Sequence, residues 1–192
     1  MTGDLIPAKV LATHTIANVS ETLAEKLGLP PQYRSIGIIT ADSDDVTYCA
    51  LDEATKAAAV EVVYGRSLYA GAANASTKLA GEVIGILAGP NPAEVQSGLR
   101  ACAEFMDSGV GFRSANEDDS IIYFAHTVSR TGTYLSKTAH VREGEALAYL
   151  IAPPLEAVVG LDEAMKAADV ELVQLFAPPS ETNFGGGLLT GT

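Results

Sequence analysis

Tryptophan is absent from this chain of 192 residues, and cysteine occurs only twice, at Cys49 and Cys102. Neither cysteine belongs to a CxxC pair, and two distant thiols do not make the disulfide framework of a small secreted domain. We therefore expect both thiols to be buried and reduced, as in the cytoplasm. Because alanine and glycine are abundant while tryptophan is missing, the sequence favours closely packed layers of small residues.

Long hydrophobic runs are missing as well. Residues 83–88 (VIGILA) form one of the longest apolar runs, and this run is far below the ~20 residues that cross a bilayer as a helix. The N-terminal segment MTGDLIPAKV lacks the basic region and the apolar core of a signal peptide. The sequence therefore predicts a protein that does not enter a membrane.

Basic residues are scarce, because 12 lysines and arginines stand against 24 aspartates and glutamates, for a net charge of −12 at pH 7. This balance argues against nucleic-acid binding, which needs lysine and arginine to displace counterions from phosphates. It is compatible with attraction of small cations. Neither a P-loop nor a GxGxxG fingerprint is present, and the spacing of His14, His126 and His140 does not suit a metal site. We predict no catalytic residues, no metal and no required cofactor.

A long internal repeat is the dominant feature that is present. Residues 52–63 (DEATKAAAVEVV) recur as residues 162–173 (DEAMKAADVELV). Farther upstream, His126-Thr127-Val128 echoes His14-Thr15-Ile16. One repeat of roughly a hundred residues has the size of a domain rather than of a solenoid unit. We therefore predict two copies of one domain, at 1–108 and 109–192, joined through a polar linker at 108–119.

Each copy is predicted to be a small layered α/β unit with its helices on one face of a sheet. In the first copy we predict strands at 8–19, 35–40, 60–64 and 82–88 and helices at 20–27, 42–59 and 91–107. In the second copy we predict strands at 121–129, 146–152 and 170–176, a last strand from Leu188, and a helix at 155–168. The buried face of the helix at 155–168 is predicted to carry Val158, Leu161, Met165 and Ala168. A counterpart of the 91–107 helix is missing.

The two copies differ in charge at one position. Asp44 and Asp45 align with Pro154 and Leu155 of the second copy, so the domain fold does not require these carboxylates. They could simply stabilise a helix N-terminus, which is worth about 0.3–1 kcal/mol. They could also bind a cation such as an ammonium group through charge-assisted hydrogen bonds. The spacing alone leaves both readings open.

Several long segments together resemble a known family. They are residues 41–48 (ADSDDVTY), 62–73 (VVYGRSLYAGAA), 88–94 (AGPNPAE), 128–136 (VSRTGTYLS), 148–157 (AYLIAPPLEA) and 178–184 (PPSETNF). This set, in order along the whole chain, is similar to the EutL family of ethanolamine-utilisation bacterial microcompartment shell proteins. The family has two tandem, circularly permuted microcompartment domains, which agrees with the repeat. The last helix of the family is the one that has no counterpart here.

The resemblance implies a structural, non-enzymatic shell protein in the bacterial cytoplasm. Its chains form homotrimers that imitate a hexamer and pack with other shell proteins, with a loop-gated central pore and a smaller pore in each subunit. The small pore binds ethanolamine, and cobalamin binding is also associated with the family. By resemblance, the ethanolamine-binding residues are Asp44, Asp45, Tyr69, Glu82 and Phe112. The gate would lie in the loops at 67–76 and 180–187, with Tyr69, Asn183 and Phe184 as its bulky residues.

Two other functions stay open on the residues alone. An enzyme could use Asp44, Asp45 and Glu82 as acid and base groups, although no nucleophile–base–orienter set accompanies them. A soluble regulatory pair of domains could bind a small amine as a dimer. Trimers and flat hexagonal sheets, turnover of an amine, or soluble dimers would distinguish the three hypotheses.

Overall fold

A computed structural model describes residues 1–67, 82–178, 180 and 184–191. The first half contains β1 (Leu5–Pro7), β2 (Val10–Ile16), α1 (Glu21–Leu27), β3 (Ser35–Ala41), α2 (Asp44–Ala57), β4 (Glu61–Ser67), β5 (Val83–Gly89) and α3 (Pro92–Asp107). The second half contains β6 (Gly111–Ser114), β7 (Ile122–Val128), α4 (Thr133–Ala139), β8 (Leu147–Ala152), α5 (Pro154–Ala167), β9 (Val170–Phe176) and β10 (Gly185–Gly191). No helix within these described residues is long and apolar enough to span a membrane.

The same antiparallel sheet is built twice. The first sheet has the order β2-β3-β5-β4, and the second repeats it as β7-β8-β10-β9. The register also shifts once in the equivalent pair of each sheet. The shift lies between Val62 and Tyr64 where β4 pairs with β5, and between Leu188 and Leu189 where β9 pairs with β10. This layout confirms the predicted α/β fold with two tandem copies.

The predicted linker is wrong in one respect, because it contains a strand. β6 pairs with β7 on one side and with β1 on the other, so the second sheet has six strands. β1 precedes the first sheet in the chain but belongs to the second. The N-terminal segment therefore ties the two halves together, and the division at residue 108 stays a prediction.

Helices lie on both faces of the first sheet, so the prediction that they cover only one face is wrong. A side chain on Gly37 would meet Val95 and Leu99 of α3, and one on Gly85 would meet Leu51 of α2. The neighbouring residues Ile36 and Ile86 point the other way and cluster with Ala24 of α1. Successive residues of a strand face opposite sides of the sheet, so α1 covers the face opposite α2 and α3.

Short-range sequence signals mark the ends of the helices. The Ser20 hydroxyl accepts a hydrogen bond from the Leu23 amide at 3.4 Å, and Gly28 ends α1 in the left-handed conformation with φ of 66°. Asn91 accepts from the Glu94 amide at 3.0 Å at the start of α3. His140, unassigned from sequence, ends α4 with φ of 55°, the position that Gly28 takes in α1.

The predicted buried face of α5 is only partly correct. Leu161 is buried and Ala157 lies beside it in the core, but Val158 is 53% exposed and Met165 is 39% exposed. Ala168 is also exposed. The equivalents of Val158 and Met165 on α2 are Tyr48 and Thr55, which α4 covers. Nothing in the described part of the chain covers α5 in that way.

Candidate functional site

A cavity of about 410 Å³ lies where the two halves meet. The first half contributes the start of α2 and the end of β4, and the second half contributes α4, β8, the end of β9 and β10. The described lining residues are Asp44, Asp45, Tyr48, Gly65, Arg66, Tyr134, Leu135, Thr138, Tyr149, Ile151, Phe176, Ala177, Ser180 and Leu188. The cavity is therefore built jointly by the two copies.

Two adjacent carboxylates form the acidic wall of the cavity. β3 ends at Ala41, and after two residues Asp44 and Asp45 make the first turn of α2, where acidic groups face the positive end of the helix dipole. Both are buried. The Tyr149 hydroxyl of the second half donates to Asp45 Oδ1 at 2.7 Å, and the Asp45 amide donates to Asp44 Oδ1 at 2.9 Å. Asp45 is thus held from both halves of the chain.

Burial makes this pair costly to ionise. It raises the pKa of Asp45 to about 6, although the hydrogen bond from Tyr149 opposes the shift. Burial, with the neighbouring Asp45 charge as a second cause, raises the pKa of Asp44 well above its usual value. The pKa of Tyr149 is also raised by burial, so its hydroxyl remains a donor. A cation next to the pair would favour ionisation of both carboxyls.

Aromatic rings of Tyr48, Tyr134, Tyr149 and Phe176 also line the cavity. The Tyr149 ring lies 5.9 Å from Phe176, and the Tyr48 ring of α2 lies 6.3 Å from the Tyr134 ring of α4. Ring faces attract ammonium groups when water is excluded. Two carboxyls next to a tyrosine hydroxyl and tyrosine rings form a lining that suits a small amine. The Arg66 side chain lines the same cavity.

The other predicted site residues are more scattered. Among the described residues, neither Glu82 nor Phe112 lines the cavity. Glu82 is half-buried and immediately precedes Val83, which pairs with Ala41, so its backbone lies near the start of α2. Phe112 is fully buried, with its ring 5.5 Å from Phe124 and 5.9 Å from Phe184. It therefore stands behind Tyr149, one aromatic ring away from the cavity.

The predicted loop at 180–187 is wrong over its last three residues, because the last strand begins at Gly185 rather than at Leu188 and pairs there with β8 and β9. Tyr69 and Asn183 lie outside the described residues. Phe184 is half-buried against Phe112, and its carbonyl accepts hydrogen bonds from the Ser180 amide at 3.3 Å and the Ser180 hydroxyl at 3.0 Å. The gate and the remaining site residues stay predictions.

Sequence reasoning missed Tyr149, Tyr134, Tyr48 and Arg66. The signal that singled out Asp44 and Asp45, a difference between the copies, was available for these residues too. Tyr149 stands opposite His126 in the sheet, where the first copy pairs Ile38 with His14. The repeat places Thr22 at the position of Tyr134 and Val158 at that of Tyr48. Only one copy therefore carries a tyrosine at each of these three positions.

Within the residues that the structure describes, no group of three or more histidine, cysteine, aspartate or glutamate side chains could hold an ion.

Similar proteins of known family and known structure all point to one family. The BMC domain profile matches residues 35–115. The chain is 70% identical to the bacterial microcompartment shell protein EutL of Clostridium perfringens. The alignment covers 100% of this chain and 88% of that protein. The crystal structure of the ethanolamine utilization protein EutL from Leptotrichia buccalis superposes with a TM-score of 0.94 at 68% identity, covering 100% of this chain and 88% of that one.

A more distant structure shares the fold. The crystal structure of a trimeric shell protein, PduB, has a TM-score of 0.77 at 21% identity, covering 93% of this chain and 78% of that one. Relatives of this kind are structural shell proteins and not enzymes, so the acid–base hypothesis is wrong. With the duplicated sheet and this level of identity, the chain belongs to the EutL family of bacterial microcompartment shell proteins.

Proposed function

We propose that three copies of this chain form a tile in the shell of an ethanolamine-utilisation microcompartment in the bacterial cytoplasm. Similarity to the ethanolamine utilization protein EutL of Leptotrichia buccalis, and the fold shared with the trimeric shell protein PduB, support this proposal. The duplication supports it too, because three chains with two similar halves each can imitate a ring of six. The boundary of these halves, at residues 108 and 109, is part of the proposal.

We propose further that the cavity between the halves binds ethanolamine. The observation that carries this step is the buried pair Asp44 and Asp45 beside the Tyr149 hydroxyl. Ethanolamine at neutral pH carries an ammonium group and a hydroxyl. The carboxylates accept hydrogen bonds from both groups, and such charge-assisted bonds are shorter and stronger than neutral ones. A bound ammonium also offsets the cost of ionising two buried neighbours.

The remaining predicted residues would complete the site around this pair. Glu82 would supply a third carboxylate from the start of β5, near the first turn of α2. Phe112 would support the aromatic wall through Phe124 and Tyr149. Tyr69 would close the site from the neighbouring loop.

The proposed gate uses the predicted loops at 67–76 and 180–187, the second without residues 185–187, which belong to β10; Tyr69, Asn183 and Phe184 would be its bulky residues. Ligand in the small pore would favour the closed state, since a ligand shifts an equilibrium toward the state that it binds more tightly. Structures with and without ethanolamine test this idea, and identical loops in both would contradict it. Cobalamin binding and contacts with other shell proteins remain predictions from the family.

Replacing Glu82 by glutamine is expected to weaken ethanolamine binding by about tenfold or more, because a hydrogen bond to a charged group contributes about 1.5–3 kcal/mol. Isothermal titration calorimetry measures this affinity. Glu104→Gln is the matched control, because Glu104 is exposed on α3. Equal affinity in both variants would remove Glu82 from the site.

The tile itself is tested by light scattering and electron microscopy of the purified chain. Trimers that assemble into flat hexagonal sheets are the expected result. Soluble dimers that bind an amine would instead favour the regulatory pair considered from the sequence.

A further inference from the structure

The acidic wall of the cavity contains two carboxyl groups that compete for ionisation. Asp44 is 4% exposed and Asp45 is 6% exposed, and they are adjacent in the first turn of α2. Two like charges side by side in a site that excludes water repel each other, so that one carboxyl of such a pair keeps its proton. We therefore expect the pair to carry a single negative charge at neutral pH when no cation is bound.

A hydrogen bond between the two side chains identifies where the proton lies. A carboxylate only accepts hydrogen bonds, so a bond between two carboxyls needs a proton on one of them. This bond raises the pKa of Asp44 and lowers the pKa of Asp45, which makes Asp44 the protonated donor. The Tyr149 hydroxyl donates to Asp45 Oδ1 at 2.7 Å, and this second bond also favours the charge on Asp45.

The other charged and titratable groups around the pair do not remove this proton. Arg66 from β4 is the basic side chain among the described residues that line the cavity. The pKa of both carboxyls is nevertheless raised, so burial outweighs the charge of Arg66. The remaining titratable groups near the pair supply no positive charge; they are Asp42 after β3, Tyr48 and Cys49 of α2, Glu82 before β5, Tyr134 of α4 and Tyr149 of β8.

We propose that this cavity exchanges a proton for an amine, because an ammonium group displaces the proton shared by Asp44 and Asp45 and binds both carboxylates. The proton leaves to the solvent. The amine keeps its own proton, because alkylammonium groups such as that of lysine titrate at about pH 10. One cation thus enters for each proton that leaves. This inference rests on the proposed ethanolamine binding and adds the regulation of that site by pH.

The direction of the pH dependence follows from this exchange. In the empty cavity the raised pKa of Asp44 keeps the proton on the pair at a pH where an ordinary carboxyl has lost it. A bound ammonium lowers the pKa of both groups. Binding is therefore strongest at high pH and weakens as the pH falls, by about tenfold per pH unit while one proton is released per ligand. The cavity empties when its surroundings acidify, even at a constant concentration of amine.

Calorimetry in two buffers measures the exchange. Ethanolamine is titrated into the wild-type protein at pH 7.5 in phosphate and in HEPES. These buffers differ in their ionisation enthalpy, so the difference in observed heat gives the number of protons released. We expect close to one proton per ligand, and a Kd about tenfold higher at pH 6.5 than at pH 7.5. Ethanolamine that binds with no proton release and with equal affinity at both pH values would overturn the inference and leave the proposed ethanolamine site intact.

Asp44→Asn tests whether the pair is the source of the proton. Asparagine cannot carry the shared proton, and Asp45 alone, with a pKa of about 6, is already ionised at pH 7.5. The variant is expected to bind ethanolamine more weakly and to release almost no proton. Asp107→Asn, at the exposed end of α3, is expected to keep the wild-type proton release. Equal release from Asp44→Asn and the wild type would contradict the assignment.

Infrared difference spectroscopy detects the proton without any ligand. At pH 7.5 the wild-type protein is expected to show the carbonyl band of a protonated carboxylic acid, which Asp44→Asn lacks and Asp107→Asn retains. The absence of this band from the difference between the wild type and Asp44→Asn would overturn the inference, whichever ligand the cavity binds. A band that is present while ethanolamine does not bind would contradict both the proposed site and the exchange.

Discussion

Replacing Asp52 by alanine is expected to lower the free energy of unfolding by about 3 kcal/mol, because two buried amides would lose a charged acceptor. The carboxylate is fully buried and binds the Gly132 and Leu135 amides of the other half. Burial raises its pKa, and the two amide hydrogen bonds oppose that shift. Asp52→Asn, which keeps one acceptor oxygen, is expected to be intermediate. Urea denaturation monitored by circular dichroism measures the change.

Asp162→Ala is the matched control, because the repeat places Asp162 at the same helical position on α5. Its side chain is 55% exposed, so the loss is expected to be under about 0.5 kcal/mol. Both variants are compared at the same protein concentration, because assembly makes stability depend on concentration. Equal losses in the two variants would show that the joint between the halves does not depend on Asp52.

Replacing Asp45 by asparagine is expected to stabilise the protein at pH 7 by about 2–3 kcal/mol while weakening cation binding. Burial raises the pKa of Asp45 from 3.8 to about 6, and each pKa unit corresponds to about 1.4 kcal/mol. A raised pKa in the folded state means that the protonated group contributes stability below pH 3.8, which is lost as the pH rises through about 6. Asparagine avoids that loss and still accepts from Tyr149. Part of the gain is offset by a weaker interaction with the helix dipole.

The pH dependence distinguishes this effect from a general reduction of negative charge. Near pH 4 the Asp45→Asn variant is expected to be about as stable as the wild type, since the carboxyl is then mostly protonated in the folded state. Asp107→Asn, at the exposed end of α3, controls for removing one charge from an acidic protein. A gain that persists unchanged at pH 4, or one that Asp107→Asn reproduces, would contradict the burial argument.

The sequence predicted two similar α/β halves because the repeat implies that both copies build the same sheet, and it predicted helix ends because these carry local signals. Ser20, Gly28 and Asn91 act through hydrogen bonds within a few residues, which a sequence displays directly. The position of α1 was missed for a physical reason. β3 (SIGIITA) is mostly apolar, so its pattern does not reveal whether one or both faces are covered. The pairing of β1 with β6 joins distant segments and leaves no local trace.

The site was partly predictable for the same reasons. Asp44 and Asp45 stand out because the second copy has Pro154 and Leu155 instead. The repeat shows that Tyr149 differs from Ile38 of the first copy, but it does not show the role of Tyr149, because the hydroxyl reaches a carboxylate that lies far away in the chain. Likewise, Val158 and Met165 follow the helical spacing of a buried face, but both side chains are exposed. Periodicity identifies an apolar face without naming its partner.

A crystal structure with ethanolamine, obtained at a pH well above 6 so that the carboxylates are ionised, tests the central claim most directly. The account predicts an ammonium nitrogen within hydrogen-bonding distance of Asp44 or Asp45, in the cavity between the halves and facing Tyr149. Ethanolamine bound elsewhere on the chain, with this cavity empty at saturating ligand, would contradict it.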